Sequence, residues 1–176
     1  MCAKRLTMVL AALLVASPVL AEKTAGQMVD DVGIAAQVKT NLIDSKIVDA
    51  NDINVEVEKG VVQLSGFVES KEQVREAEKI AKDIVGVKSV SNKLVVQGGK
   101  RSMGQTMDDQ YIETKVNAAL MAEAATDAGD IDVEVRNGVV QLSGFVGSAE
   151  EKKRATEVAM GIKGVTKVDN ALDIKN

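Results

Sequence analysis

Val133-Glu134-Val135-Arg136-Asn137-Gly138-Val139-Val140-Gln141-Leu142-Ser143-Gly144-Phe145-Val146 reads as two strands joined by a tight turn. Val133 and Val135 alternate with polar residues, the mark of a half-buried strand. Asn137-Gly138 is a strong type I′ turn signal. The stretch has a first copy 78 residues earlier, Val55-Glu56-Val57-Glu58-Lys59-Gly60-Val61-Val62-Gln63-Leu64-Ser65-Gly66-Phe67-Val68, with Lys59-Gly60 in the turn. The offset of 78 holds without a gap from Asp30/Asp108 to Gln97/Lys175, and 31 of those 68 pairs are identical. Solenoid units run roughly 20–50 residues. A period this long is the size of a small domain, so one fold is written twice.

A two-residue loop fixes the hairpin register. It pairs Glu58 with Val61, Val57 with Val62, Val55 with Leu64 and Ile53 with Gly66. The apolar members then share one face, and Glu56 and Gln63 take the other. Gly66 and Gly144 fall at inward positions, where the expected reason for glycine is room for a helix packed on the sheet.

The flanking pattern completes the unit. Ile34, Val38 and Leu42, matched by Ile112, Val116 and Leu120, recur every four residues and predict a first helix. Asp30-Asp31 and Asp108-Asp109 stand at its expected start, where carboxylates cap and suit the helix dipole. Ser70-x-x-Gln73 and Ser148-x-x-Glu151 are capping boxes that open a second helix. Its inner face is Ala77, Ile80, Ala81 and Ile84, or Ala155, Val158, Ala159 and Ile162. Gly86 and Gly164 are expected to end it as C′ residues. A third strand follows over 87–96 and 165–174, where Asn92 and Asn170 interrupt the alternation. The expected class is α+β, with two tandem α-β-β-α-β domains at 30–98 and 108–176 and a glycine-containing linker at 99–107. Each unit lies near the lower size limit for an independent core, which docking of the two would relieve.

Residues 1–21 read as a secretory leader. Lys4 and Arg5 form a charged start, Leu6 to Ala16 an apolar run too short to span a bilayer, and Ser17-Pro18 a break. Cleavage is expected between Ala21 and Glu22, giving a soluble periplasmic protein. Cys2 leaves with the leader, and the remainder has neither Cys nor His. That removes disulfides, thiolate chemistry, the commonest zinc ligands and any Ser-His-Asp arrangement. No phosphate-loop motif occurs. The sequence points away from an enzyme and calls for no cofactor or metal. Without Lys4 and Arg5 the chain carries 20 basic and 26 acidic residues, net −6. Phe67, Tyr111 and Phe145 are its only aromatics. A basic stripe and stacking platforms are both missing, which argues against nucleic acid.

The string V-x-V-x-x-G-x-V-x-L-x-G-x-V, carried by Val55, Val57, Gly60, Val62, Leu64, Gly66 and Val68 and again by Val133, Val135, Gly138, Val140, Leu142, Gly144 and Val146, resembles the BON-domain family. So do Gly86-Val87-x-x-Val90-x-Asn92-x-Leu94 and its second copy from Gly164. A leader followed by two such units is similar to the osmotically inducible periplasmic proteins of that family. The resemblance implies a three-stranded mixed sheet with two helices on one face. It also implies phospholipid or membrane-surface binding, envelope maintenance and, for some members, chaperone-like help to exported or outer-membrane proteins.

The two copies diverge on the first helix. Tyr111, Lys115, Ala118 and Ala122 form a stripe distinct from the core stripe, where copy one has Gly33, Gln37, Thr40 and Asp44. A tyrosine beside a lysine suits a membrane interface. Tyr111 and Lys115 are therefore candidate lipid contacts. Packing of the stripe on copy one, or plain exposure to solvent, are the alternatives.

Overall fold

The computed structural model describes residues 25–99 and 102–175. The leader and its cleavage point lie outside the described residues. Copy one contains α1 (Ala25–Ile43), β1 (Asn54–Glu58), β2 (Val61–Ser65), β3 (Phe67–Val68), α2 (Lys71–Lys82), β4 (Ser89–Asn92) and β5 (Val95–Val96). Copy two contains α3 (Met103–Ala122), β6 (Ile131–Arg136), β7 (Val139–Val146), α4 (Ala149–Met160), β8 (Lys167–Asn170) and β9 (Asp173–Ile174).

The hairpin register is as expected: Glu58 pairs with Val61, Val57 with Val62 and Val55 with Leu64, and Ile131 pairs with Gly144. Lys59 and Asn137 adopt positive φ, as do Gly60 and Gly138, which is the type I′ geometry. The middle strand is central in each sheet, antiparallel to the first and parallel to the third. Each sheet is thus mixed, and the fold is α+β. Each copy has its own core on the helical face, gathered around Val38, Leu42, Leu64, Ala77 and Ala81 in one and Val116, Leu120, Leu142, Ala155 and Ala159 in the other.

Asn92 and Asn170 break the third strand, and their side chains repair the break. The Asn92 Nδ2 donates to the Val74 carbonyl at 3.0 Å, and its Oδ1 accepts from the Leu94 N–H at 3.2 Å. Asn170 does the same with Lys152 and Leu172.

Four expectations are corrected. The first helices start earlier, α1 at Ala25 and α3 at Met103, so residues 103–107 are helical and the linker is shorter than 99–107. Ser102 caps α3 in a reciprocal capping box with Gln105. Asp31 and Asp109 therefore sit within the helices and do not cap them. Buried, they reach across to the hairpin turn. Asp31 accepts from the Lys59 and Gly60 N–H groups, both at 2.8 Å, and Asp109 from Asn137 and Gly138 at 2.9 and 3.0 Å.

Gly86 and Gly164 lie beyond the helix ends at Lys82 and Met160, in a separate turn closed by Val87 N–H to the Ile84 carbonyl. A Cβ there would press on Ile34 or Ile112. Gly66 and Gly144 are not small for a helix. Each has φ +120, and a Cβ would overlap the carbonyl oxygen of Asp52 or Asp130, at the end of the one-turn 3-10 segment before the first strand.

Candidate functional surface

Helix α3 has two apolar faces. The inner one, Ile112, Val116 and Leu120, is buried in the core. The outer one faces solvent: Met103 is 86% exposed, Met107 67%, Tyr111 62% and Met121 77%. Their spacing follows the helical repeat on the side opposite the core, with the exposed Thr114 and Ala118 between Tyr111 and Met121. The Lys115 ammonium lies 5.4 Å from the Tyr111 ring centroid, within cation–π range. The stripe does not pack on copy one. The three methionines were not among the residues singled out from sequence, because Met103 and Met107 fell in the expected linker. The i, i+4, i+8 spacing of Met103, Met107 and Tyr111 is the signal that could have found them.

Tyr111 also stands on the rim of a groove of about 560 Å³ lined by Asp108, Ile112, Asn137, Lys163 and Thr166 among others. Copy one has the equivalent groove, about 370 Å³, between Asp30, Ile34, Lys59, Val85 and Lys88. Gly33 replaces Tyr111 there, so the copy-one groove has no aromatic rim.

The sheet faces opposite the helices meet each other. Ser65 Oγ hydrogen-bonds Ser143 Oγ at 2.9 Å. The Gly66 N–H donates to Gln141 Oε1 at 2.5 Å, and the Gly144 N–H to Gln63 Oε1 at 2.6 Å. The reciprocity marks an approximate twofold axis between the copies. Gln63 Nε2 also donates to Asp173 Oδ2 at 2.8 Å, and Gln141 Nε2 to the Lys93 carbonyl at 2.9 Å. Arg136 Nη1 donates to the Phe67 carbonyl at 3.0 Å. Gly66 and Gly144 thus expose a backbone N–H that the other copy satisfies. Outward-facing polar residues on a sheet ordinarily predict solvent, and here they predict a polar interface.

Glu56 and Glu134 also point across this interface, each packed against the glycine of the other copy, Gly144 and Gly66 respectively. Burial first, then the hydrogen bond to Asp132 and the charges of Asp132 and Asp130, push the Glu56 carboxyl up to about 8, with Lys175 opposing. Burial, then the charges of Asp52, Glu113 and Asp132, raise Glu134 to about 7, with Lys39 opposing. Among the described residues no cluster of His, Cys, Asp and Glu is suited to hold a metal ion, and no helix is long and apolar enough to cross a membrane.

Two α-β-β-α-β modules docked sheet to sheet, with one helix presenting an exposed, largely apolar outer face, define a tandem two-module α+β architecture. The chain belongs to the BON-domain family, whose pattern matches residues 30–98 and 108–176. It is 40% identical over 151 residues to osmotically-inducible protein Y of Escherichia coli (strain K12), covering 85% of this chain and 75% of that protein. It is 31% identical to a 21 kDa hemolysin of Actinobacillus pleuropneumoniae, covering 83% and 75%. It is 33% identical over 92 residues to the outer membrane lipoprotein DolP of Haemophilus influenzae, covering 52% and 47%.

Proposed function

We propose that this chain is a non-enzymatic periplasmic protein of envelope maintenance that rests on phospholipid surfaces through the outer face of α3. The observation that carries the reading is the exposed stripe of Met103, Met107, Tyr111 and Met121. Large apolar side chains gathered on one exposed helix face mark an interaction surface. Moving such a side chain out of water is worth roughly 1.5–3 kcal/mol, so four of them support reversible binding after the costs of association. Tyr111 places its ring at headgroup depth, and Lys115 above it supplies a cation for phosphate. The leader read in residues 1–21 and the similarity to an osmotically inducible protein and an outer membrane lipoprotein support the compartment.

The chain's acidity shapes the binding mode. With 26 acidic residues against 22 basic ones, the chain is repelled by anionic headgroups at long range. Binding is therefore apolar in character and survives added salt. Vesicle co-sedimentation with phosphatidylcholine, alone and mixed with phosphatidylglycerol, tests this. Wild type sediments with both. Combined Met107→Ser and Tyr111→Ser, both exposed and harmless to the core, remains in the supernatant. A wild-type chain that binds neither vesicle refutes the reading.

A second reading follows from the methionines, whose flexible side chains adapt to varied apolar partners. If vesicles are ignored, and wild type but not the double variant suppresses aggregation of an unfolded exported protein, the stripe is a chaperone-like protein-binding surface.

A further inference from the structure

The duplication places two equivalent grooves in one chain, and they differ in the residues that would meet a ligand. Each lies between the first helix, the hairpin turn and the loop after the second helix. In copy two these three walls are locked together. Asp109 of α3 accepts from the Asn137 and Gly138 N–H groups at 2.9 and 3.0 Å. The Gly138 carbonyl accepts from the Thr166 N–H at 2.8 Å and from its Oγ1 at 3.0 Å. A Cβ on Gly164 would stand 2.9 Å from the Ile112 side chain, so the loop lies directly against the helix. The groove is therefore preformed. Its volume of about 560 Å³ falls within the roughly 300–1,000 Å³ of small-ligand sites.

Two opposite charges face it. Asp108 of α3 and Lys163 of the loop both line the groove, and both are exposed. Among the described residues neither side chain has an ion-pair or hydrogen-bond partner. Asn137 adds a side-chain amide and Tyr111 a ring at the rim. Copy one lacks this set. Val85 stands at the position of Lys163, and Gly33 at that of Tyr111. Its Lys88 Nζ is turned onto the Lys59 carbonyl at 2.6 Å, and its groove is smaller, about 370 Å³.

We propose that the copy-two groove is a headgroup site for a zwitterionic phospholipid with a primary ammonium, a phosphoethanolamine: Lys163 and Asn137 take the phosphate and Asp108 takes the ammonium. This rests on the reading of the outer face of α3 as the lipid-facing surface. Tyr111 belongs to both, so a headgroup in the groove and acyl chains against the stripe form one contact.

The charges select the headgroup. A purely anionic one satisfies Lys163 but brings no cation to Asp108. A quaternary ammonium has no N–H to donate, and such groups are recognised by cages of aromatic rings. This groove has a single ring, and the Lys115 ammonium already stands 5.4 Å from its centroid. A primary ammonium instead donates charge-assisted hydrogen bonds to a carboxylate. The phosphate gains the same kind of bond from Lys163.

The test titrates soluble glycerophosphoethanolamine, glycerophosphocholine and glycerophosphoglycerol into the full isotope-labelled chain, followed by amide NMR. Saturable shifts are expected at Asn137, Gly138, Lys163 and Gly164, and none at the equivalent Lys59, Gly60, Val85 and Gly86. Ethanolamine should bind at least about fivefold tighter than the other two, roughly 1 kcal/mol. Asp108→Asn removes the preference over choline, and Lys163→Gln weakens all three. Both sites are exposed, so the fold is kept. Asp30→Asn, the copy-one counterpart of Asp108, changes neither. Equal affinity for the three headgroups overturns the proposal. So do equal shifts in both grooves, or a preference that survives Asp108→Asn. Vesicle sedimentation separates this proposal from the reading it rests on. Wild type should bind phosphatidylcholine vesicles more tightly once phosphatidylethanolamine is added. Binding without that gain overturns the headgroup site alone, and binding to neither vesicle overturns both.

Discussion

Gly66→Ala separates backbone strain from steric blockade at the point where β2 bends towards β3. The residue has φ +120, a conformation that side chains rarely adopt. Forcing an alanine into it costs roughly 1–3 kcal/mol. The added Cβ overlaps the Asp52 carbonyl oxygen and stands 3.2 Å from the Asp52 carbonyl carbon. Moving that carbonyl means shifting the 3-10 turn away from the sheet, an overpacking cost of roughly 1–3 kcal/mol. The Gly66 N–H moves with it, weakening its bond to Gln141, worth roughly 0.5–1.5 kcal/mol. Together the loss is about 3–7 kcal/mol. At roughly 4–8 °C per kcal/mol for a domain this size, the first transition falls by at least about 12 °C. The control is Gly99→Ala, with φ +117 and nothing within 4 Å of the new Cβ. It carries the strain alone and leaves more than half the loss behind. Thermal and urea unfolding followed by circular dichroism read both. If Gly66→Ala is no worse than Gly99→Ala, the carbonyl contact is not what requires glycine.

Asp109→Asn keeps the shape but replaces one turn-binding oxygen by an amide group facing N–H donors, and should cost about 1.5–3 kcal/mol in chemical denaturation. A loss under about 0.5 kcal/mol would mean the turn holds itself. Gln141→Ala strands the Gly66 N–H and the Lys93 carbonyl; hydrogen exchange should accelerate at Gly66 while the core amides of copy two stay protected. Glu56 titrates at about 8 in the folded chain against an ordinary 4.5, so between those values the folded state holds the extra proton. Its stabilisation is complete below about 4.5, declines as pH rises, and is gone above about 8, a loss of at most about 4 kcal/mol after allowing for solvent access. Melting temperature measured across that window should fall in wild type and fall less in Glu56→Gln, where Glu134, raised to about 7, still loses its proton.

The secondary structure was legible where local chemistry decides it. Asn137-Gly138 fixed a turn, the turn fixed a register, and the register separated core from outer face. The parallel third strand came from the family resemblance more than from the residues, since nothing local states which neighbour Val90 will pair with. The aspartates misled because Asp31 lies near the helix start in sequence but contacts a turn 28 residues away. Gly66 misled because inward parity was extended one residue too far: the strand bends there, and the bend redirects what the missing Cβ would meet. The outer stripe of α3 was seen only from Tyr111 onwards, since glycines around Met103 suggested a linker. The copy-to-copy interface left no pattern at all, because Gln63 and Ser65 look the same whether they face water or another sheet.

A face that meets its own likeness around a twofold axis requires no second surface to be invented. A free-standing single repeat with this face would find its partner only at sufficient protein concentration. Joining the two on one chain makes the encounter intramolecular, at an effective concentration in the millimolar range for a short tether. The assembly then holds at any dilution, and the two halves need not stay alike. Position 54 can keep an amide while position 132 becomes acidic, and Gly33 can remain bare while its counterpart becomes Tyr111. Covalent pairing thus permits a division of labour: one repeat serves as scaffold while the other acquires a surface of its own.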